Sequence, residues 1–303
     1  MRNEQERVVL VSGAGGNLGA KAIEALLATE WCSRVIGFYW PELPPDLPAH
    51  PRLQAVLADL TRADGSWRQH MQGVDCVLHF AAVNPYPDAS WQDATASFDI
   101  TVNLGLCAAA NGVSRVIFGS SNHVMGGYKD GDLAAALTPG GLRDDLPPAP
   151  GTHWHDGQRL VDSTIYATSK LMGERFLASL AAGSDGRMST ISLRIGWILP
   201  GENDPNHITA TGSHGSGTTA QAHAGPDDAR NQRWFRGMWL SNADFRQLIL
   251  AAISAGADRW PQASIVVNGV SANEGMDWSL ARGAESIGYH PQDDLFARIL
   301  PAG

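Results

Sequence analysis

Cysteine is scarce: Cys32, Cys76 and Cys107 are the only three in 303 residues. That is too few, and too widely spaced, for a disulfide framework or a zinc ribbon, so reduced thiols in a cytoplasmic protein are expected. Long apolar runs are missing as well. No stretch approaches the roughly 20 residues of a membrane span, and the opening MRNEQERVVL lacks a secretory hydrophobic region. No membrane role is expected. Positive charge is also short: 22 Lys and Arg stand against 31 Asp and Glu, a net charge of −9 with no basic run, which argues against a nucleic-acid partner.

What is present is the composition of a globular chain, 44% apolar and only 17% charged. Its length suffices for about two domains at roughly 150 residues each. The 33 glycines point to a turn-rich α/β chain, and the ten tryptophans to a pocket or interface with flat walls.

RVVLVS at 7–12 is apolar at nearly every position, as in a strand buried on both faces of a parallel sheet. Glycines follow, then helical spacing of Leu18, Ala22, Ile23, Leu26 and Leu27, ending near Trp31. RVIGFY, LQAVLADL, VDCVLHFAA and SRVIFGSS read as further buried strands. Residues 64–71 and 91–111 read as helices, and the proline-rich PELPPDLPAHP as loop. This alternation predicts an α/β fold, a doubly wound parallel sheet. Beyond Ser121 the pattern weakens. Residues 126–157 read as a long loop with at most a short helix, 162–182 as a helix with Ile165, Met172, Phe176 and Leu180 on one face, and MSTISLRIGWIL as a strand. Residues 202–232 form an insert of Gly, Ser, Thr, His and Asn, before a helix at 245–254, a strand at 263–268 and a short helical end. The expected organisation is a dinucleotide-binding domain over 1–195, with a loop insert at 127–160. A smaller, mainly substrate-binding C-terminal lobe over 196–303 carries the 202–232 insert and returns some segments to the sheet.

The first strand ends in Gly13-Ala14-Gly15-Gly16-Asn17-Leu18-Gly19. Glycines between a strand and a helix let backbone approach a pyrophosphate, whose charge the helix N-terminus favours. Gly13 suits the tight turn, Gly16 the close approach and Gly19 the packing of helix on sheet, as in a Rossmann-type fold. Asp59, at the end of ALADL, is a candidate for the adenine amino group, or else a helix cap. Glu42, after the second strand, is the candidate for the ribose. No basic residue sits beside it, which favours NAD and leaves NADP open.

Tyr166 and Lys170, four apart in IYATSK, share one helical face. An ammonium near a phenol draws its pKa down from about 10, making tyrosine a usable general base toward an alcohol. A snorkelling lysine beside a core tyrosine is the plain alternative. Ser121, at the end of the fifth strand, can hydrogen-bond the same substrate oxygen. Together with the glycine turn these residues predict hydride-transfer chemistry.

The glycine turn, Asp59-Leu60, HFAA at 79–82, SSNHVMG at 120–126, YATSK and LRIG at 193–196 together resemble the extended short-chain dehydrogenases/reductases of the NAD-dependent epimerase/dehydratase family. SSNH, RIG, WLSNADF at 239–245 and VVNGVSANEGMDW at 266–278 look closest to uronate dehydrogenases. The resemblance implies oxidation of a sugar or sugar acid at its anomeric carbon to a lactone. Tyr166 would be the base, Lys170 would lower its pKa and touch the ribose, and Ser121 would hold the oxyanion side. It also implies cofactor contacts from Gly13, Gly16, Asn17, Leu18, Gly19, Leu60, Ala81 and Ala82. Asn122 and His123 match substrate-touching positions, and a homodimer through paired helices is implied.

Departures from that pattern concern the substrate. Ser97 replaces an asparagine that supports the lysine, Trp197 replaces a small serine after RIG, and Asn84 stands where a serine touches substrate. For the arginine that clamps a carboxylate, Arg233 is best placed, with Arg230 and Arg236 as rivals. His153, His155, His207, His214 and His223 lie in loops, and no metal site is expected of them. The two inserts are expected to close over the substrate, with Trp154, Trp197, Trp234 or Trp239 as stacking walls, or to pack against a subunit partner. Rival readings are an NDP-sugar epimerase or dehydratase with tightly held NAD, and a non-catalytic nucleotide sensor, which would have no use for a phenolate.

Overall fold

The computed structural model describes residues 6–47, 49–83, 88–155, 159–208 and 226–299, with side chains of the last segment described from residue 230. The apolar runs form β1 (Arg7–Ser12), β2 (Cys32–Tyr39), β3 (Leu53–Leu57), β4 (Cys76–His79) and β5 (Arg115–Ser121). Between them lie α1 (Asn17–Leu27) and α2 (Trp91–Ala110). There follow α3 (Gly131–Ala135), a hairpin of β6 (His153–His155) and β7 (Leu160–Asp162), α4 (Thr164–Ala182) and β8 (Ser189–Ile195). The C-terminal part holds α5 (Pro226–Gly237), α6 (Asn242–Ser254), β9 (Ser264–Gly269), α7 (Ala281–Ile287) and α8 (Leu295–Arg298).

Seven strands pair in the order β3-β2-β1-β4-β5-β8-β9, and every pair is parallel. This is the Rossmann-type doubly wound sheet that the alternation predicts. Strand order reverses between β1 and β4, which opens the ligand crevice beyond the carboxyl ends of the strands. β5 and β8 are buried at every position, which explains why their sequences show no period-two alternation. One apolar cluster joins the sheet to α1 and α6 through Ile23, Leu26, Phe245, Leu248 and Ile249. A second joins the other face to α2 and α4 through Ile100, Leu104, Cys107 and Leu177. A third is built from Val124, Met125, Trp154, Trp234, Phe235 and Trp278.

Arginines close two helix ends. Arg52 donates to the carbonyls of Leu27, Thr29 and Cys32 beyond α1, so that helix stops short of Trp31. Arg115 donates to the carbonyls of Ala252, Ile253 and Ala255 at the end of α6. Cationic donors there meet otherwise orphaned acceptors and the negative end of the helix dipole.

Several expectations change. Residues 66–71 form 3-10 turns rather than an α-helix. The supposed loop 126–157 contains 3-10 turns over Asn122–Lys129, α3 and strand β6. In β6 the exposed His153 and His155 flank the buried Trp154, the alternation of a strand with one wet face. His153 pairs with Asp162 across the hairpin at 3.0 Å. α5 begins inside the supposed insert, and the expectation for 209–225, with His214 and His223, falls outside the described residues. Among the described residues no helix is long and apolar enough to cross a membrane.

Candidate active site

At the end of β1, Gly13 turns the chain with φ of +70°, and a Cβ there would stand 2.8 Å from the Ala81 nitrogen. A Cβ on Gly19 would lie 2.2 Å from the Gly13 carbonyl oxygen. Both glycines are therefore demanded by the fold itself. Gly16 is different. Its φ is −82°, and a Cβ would approach only the Gly13 oxygen, at 3.3 Å. Its bareness leaves room for a ligand at the N-cap of α1. That helix has no side-chain cap and no acidic residue in its first turn, so its first N–H groups remain open to an anion. Asn17 spends its amide on the Ile198 carbonyl at 3.0 Å, and Leu18 packs against the core. Both face the turn with backbone only.

Beside the turn, Tyr39 ends β2 with its ring folded back over Gly37, while Trp40 is 60% exposed and Glu42 lies exposed in the following loop. One oxygen of Asp59 accepts from the Thr61 backbone at 3.1 Å and from its hydroxyl at 2.6 Å. Leu60 is buried, and Asn103 of α2 donates to its carbonyl at 2.9 Å. The loop carrying Ala81 and Ala82 hangs on a buried polar chain. Ala81 N–H donates to Ser12 Oγ at 3.3 Å, and that oxygen lies 2.8 Å from His79 Nδ1. His79 Nε2 lies 3.0 Å from Thr101 Oγ1. Ser97 donates to the Val83 carbonyl at 2.7 Å, so it braces the loop that leads to residue 84. Burial, with the Lys170 charge adding, draws His79 down to about 3 and keeps it neutral. Asn84 lies outside the described residues.

The reacting groups meet beyond β5. Lys170 Nζ, buried on α4, donates to the Gly119 carbonyl at 2.9 Å. It lies 5.2 Å from the centre of the Phe118 ring and 5.9 Å from that of Tyr166. Burial pulls its pKa down to about 8, so it is still largely charged at neutral pH. Ser121 is buried, and its Oγ accepts from the His123 N–H at 3.2 Å. The His123 and Tyr166 rings meet edge-on, 5.9 Å apart. His123 Nδ1 lies 2.9 Å from Thr152 Oγ1 and 3.0 Å from Ser163 Oγ. Asn122, 1% exposed, buries both amide atoms without a hydrogen-bond partner. Such a group calls for a ligand or water to satisfy it.

Beneath these groups Glu174 of α4 accepts from Ser120 at 2.6 Å and from two nitrogens of Arg194 at 3.0 and 2.9 Å. This buried pair ties α4 to β5 and β8, and so holds the tyrosine helix in register with the Ser121 strand. The sequence reading missed its role, although LRIG contains Arg194. Thr152 and Ser163 were missed too.

After β8, the backbone N–H of Trp197 donates to the Met238 carbonyl at 2.7 Å, and its ring lies 6.0 Å from Phe235. Trp234 and Trp239 are packed in the core, 2% and 1% exposed, Trp234 against Trp278 with ring centres 5.0 Å apart. Trp154 is buried behind His123, ring to ring at 6.2 Å. Of the three arginines, Arg233 pairs with Asp277 and Arg230 with Asp130 at 3.6 Å. Among the described residues Arg236 donates to the Gln232 side chain at 3.2 Å, and its buried Nε has no partner.

A parallel doubly wound sheet, a glycine turn into an uncapped helix and a buried lysine one helical turn after a tyrosine define a dinucleotide-dependent oxidoreductase of short-chain type. Residues 9–212 match the NAD dependent epimerase/dehydratase family, and the chain belongs to that family. It is 30% identical over 295 residues, 94% of this chain and 96% of the other, to L-arabinose 1-dehydrogenase (NAD(P)(+)) of Haloferax volcanii. It is 28% identical over 289 residues, 94% of this chain and 82% of the other, to uronate dehydrogenase of Pseudomonas syringae pv. tomato. The crystal structure of uronate dehydrogenase from Agrobacterium tumefaciens superposes with a TM-score of 0.63 at 25% identity, covering 96% of this chain and 86% of that one. The chain is thus an NAD-dependent enzyme of the extended short-chain type. The uncapped start of α1 and the bare Gly16 fit the pyrophosphate of NAD.

Proposed function

We propose that this enzyme oxidises the anomeric carbinol of a free sugar or sugar acid to a lactone. The observation that carries the reading is the Lys170 ammonium, buried within 5.9 Å of the Tyr166 ring and anchored to the strand that ends in Ser121. Its charge favours the phenolate of Tyr166, which takes the proton of the substrate hydroxyl. Ser121 donates to the same oxygen. When bound, NAD would supply the hydride acceptor for the carbinol carbon. Gly13, Gly16 and Gly19, with the backbone of Asn17 and Leu18, would hold its pyrophosphate, and Asp59, Leu60, Ala81 and Ala82 would flank it. Glu42 would take the ribose. Asn122, His123 and Trp197 would line the sugar.

Arg233 was the arginine best placed by sequence for a substrate carboxylate. Its ion pair with Asp277 favours Arg236 instead, since among the described residues that guanidinium has no acidic partner and an unpartnered Nε. We also assign a homodimer to the outer faces of α2 and α4. Leu106 and Met172 there are 50% and 37% exposed, beside an edge-on pair of Phe98 and Phe176.

The test is formation of reduced nicotinamide from NAD or NADP across a panel of neutral aldoses, uronates and sugar phosphates. Turnover with a free aldose or uronate, abolished by Tyr166→Phe, is expected. No turnover with any free sugar, together with NAD retained through purification and conversion of NDP-sugars, would replace this reading with an epimerase or dehydratase.

A further inference from the structure

His123 is buried, and its surroundings determine which ring nitrogen carries the proton. Thr152 and Ser163, both 0% exposed, place their hydroxyl oxygens 2.9 and 3.0 Å from Nδ1. Ser163 Oγ already accepts the Thr152 backbone N–H at 2.9 Å. Among the described residues the two hydroxyl protons have two acceptors in reach: His123 Nδ1, and the Thr152 carbonyl, which lies 3.4 Å from Ser163 Oγ and already accepts the Ser163 N–H at 3.1 Å.

With Nδ1 bare, both protons are used: Thr152 donates to Nδ1, and Ser163 donates to the carbonyl or shares Nδ1. With Nδ1 protonated, its N–H would occupy a hydroxyl oxygen, and the two hydroxyl protons would compete for the one remaining acceptor, the Thr152 carbonyl. At least one buried donor would then be orphaned. The doubly protonated ring has the same fault and adds a buried charge. Burial draws His123 down to about 3, in keeping with a neutral ring.

We propose that Thr152 and Ser163 are positioning residues that lock His123 as the neutral Nε2–H tautomer, making it an obligatory hydrogen-bond donor beside Tyr166. The ring meets Tyr166 edge-on and is backed by Trp154, so it has little freedom to turn over. A donor fixed in that place stabilises negative charge on oxygen, on the phenolate or on the substrate oxygen it deprotonates, and it cannot act as a base. The site would then favour substrates that offer an acceptor oxygen next to the reacting carbinol. This use of the donor rests on the dehydrogenase reading above; the tautomer does not.

Nitrogen NMR of the sugar-free, histidine-labelled protein tests the tautomer directly, with the His123 signals assigned by their loss in His123→Gln. The expected result is a protonated Nε2 and a bare Nδ1 throughout about pH 5 to 8. A protonated Nδ1, or an imidazolium within that range, overturns the proposal whatever the enzyme's substrate. For the role, His123→Gln keeps an amide N–H donor and His123→Leu does not. The leucine variant is expected to lose at least about a hundredfold in kcat and the glutamine variant about tenfold or less, each with its fold checked by circular dichroism. Equal losses in two folded variants would overturn the donor role. Thr152→Val combined with Ser163→Ala should release the lock, so that Nδ1–H signal appears and kcat falls with little change in KM.

Discussion

The Lys170 ammonium donates to the Gly119 carbonyl at 2.9 Å, two residues before Ser121 in the same strand. One hydrogen bond thus sets the distance between a helix-borne charge and a strand-borne hydroxyl. Lys170→Met should cut turnover by roughly 10²–10⁴-fold, the range for a group that supports acid–base catalysis. It should also change how stability depends on pH. The folded pKa, about 8, lies below the ordinary lysine value of 10.5, so the unfolded chain binds more protons between those values. Stability from this group therefore rises with pH across that window. The thiols of Cys32, Cys76 and Cys107, which burial raises, pull stability the other way above about pH 9, so the lysine is read as a difference. In chemical denaturation of the NAD-free protein at pH 8 and 10, stability should change more favourably with rising pH in the wild type than in Lys170→Met.

Gly16 and Gly19 separate binding from folding. Gly16→Ala meets only the Gly13 oxygen, at 3.3 Å. It should melt within a few degrees of the wild type while its NAD dissociation constant rises at least about tenfold, equivalent to about 1.4 kcal/mol. Gly19→Ala would push a methyl to 2.2 Å from a carbonyl oxygen. Calorimetric titration and thermal melts should show it losing stability first, by about 1–3 kcal/mol or more.

Mild acid should weaken the NAD-free fold. His79 and His123 are both drawn down to about 3 from 6.5, so between those values the unfolded chain takes up protons that the native chain refuses. Asp144 opposes this, because burial raises it from 3.8 to about 6. Asp277, which burial also raises, adds a weaker opposition, and the two histidines, each refusing a proton across most of the window, leave a net loss as pH falls. The urea midpoint should be lower at pH 5 than at pH 7, and a midpoint unchanged or higher would contradict the buried, neutral state of the histidines.

Arg236→Gln should raise KM for an acidic sugar by about tenfold or more and leave a neutral pentose nearly unaffected, as expected from losing a charge-assisted hydrogen bond. Arg233→Gln should act mainly on stability, because it leaves Asp277 half-buried without its partner. Steady-state kinetics on both sugar types, with melts of both variants, distinguishes the two arginines.

Strands such as Arg7–Ser12 and Arg115–Ser121 are legible in the sequence because burial on both faces leaves a continuous apolar signature. The glycine turn and the tyrosine–lysine pair are legible because their spacing is local. The hairpin at 153–162 is not, since three-residue strands carry too few alternations to stand out from loop. Nor is the meeting of Thr152 and Ser163 on His123, which depends on that hairpin folding back. Arg233 illustrates the same limit: its spacing suits a substrate carboxylate, but Asp277, 44 residues on, takes the charge. Trp234 and Trp239 count as aromatic in composition whether they line a cleft or fill a core, and only packing tells the two apart.

The tryptophan-rich cluster around Trp154, Trp234, Phe235 and Trp278 meets the sheet's own cluster at Leu280, which packs against both. Two of its members reach the reacting groups and their brace: Trp154 backs His123, and Met125 touches Arg194. The catalytic groups on the sheet and α4, braced by Glu174 and Arg194, thus share supports with the aromatic cluster beside them. A lineage built this way cannot repaint that cluster for a new substrate without the change being felt at His123 and at the brace under Tyr166.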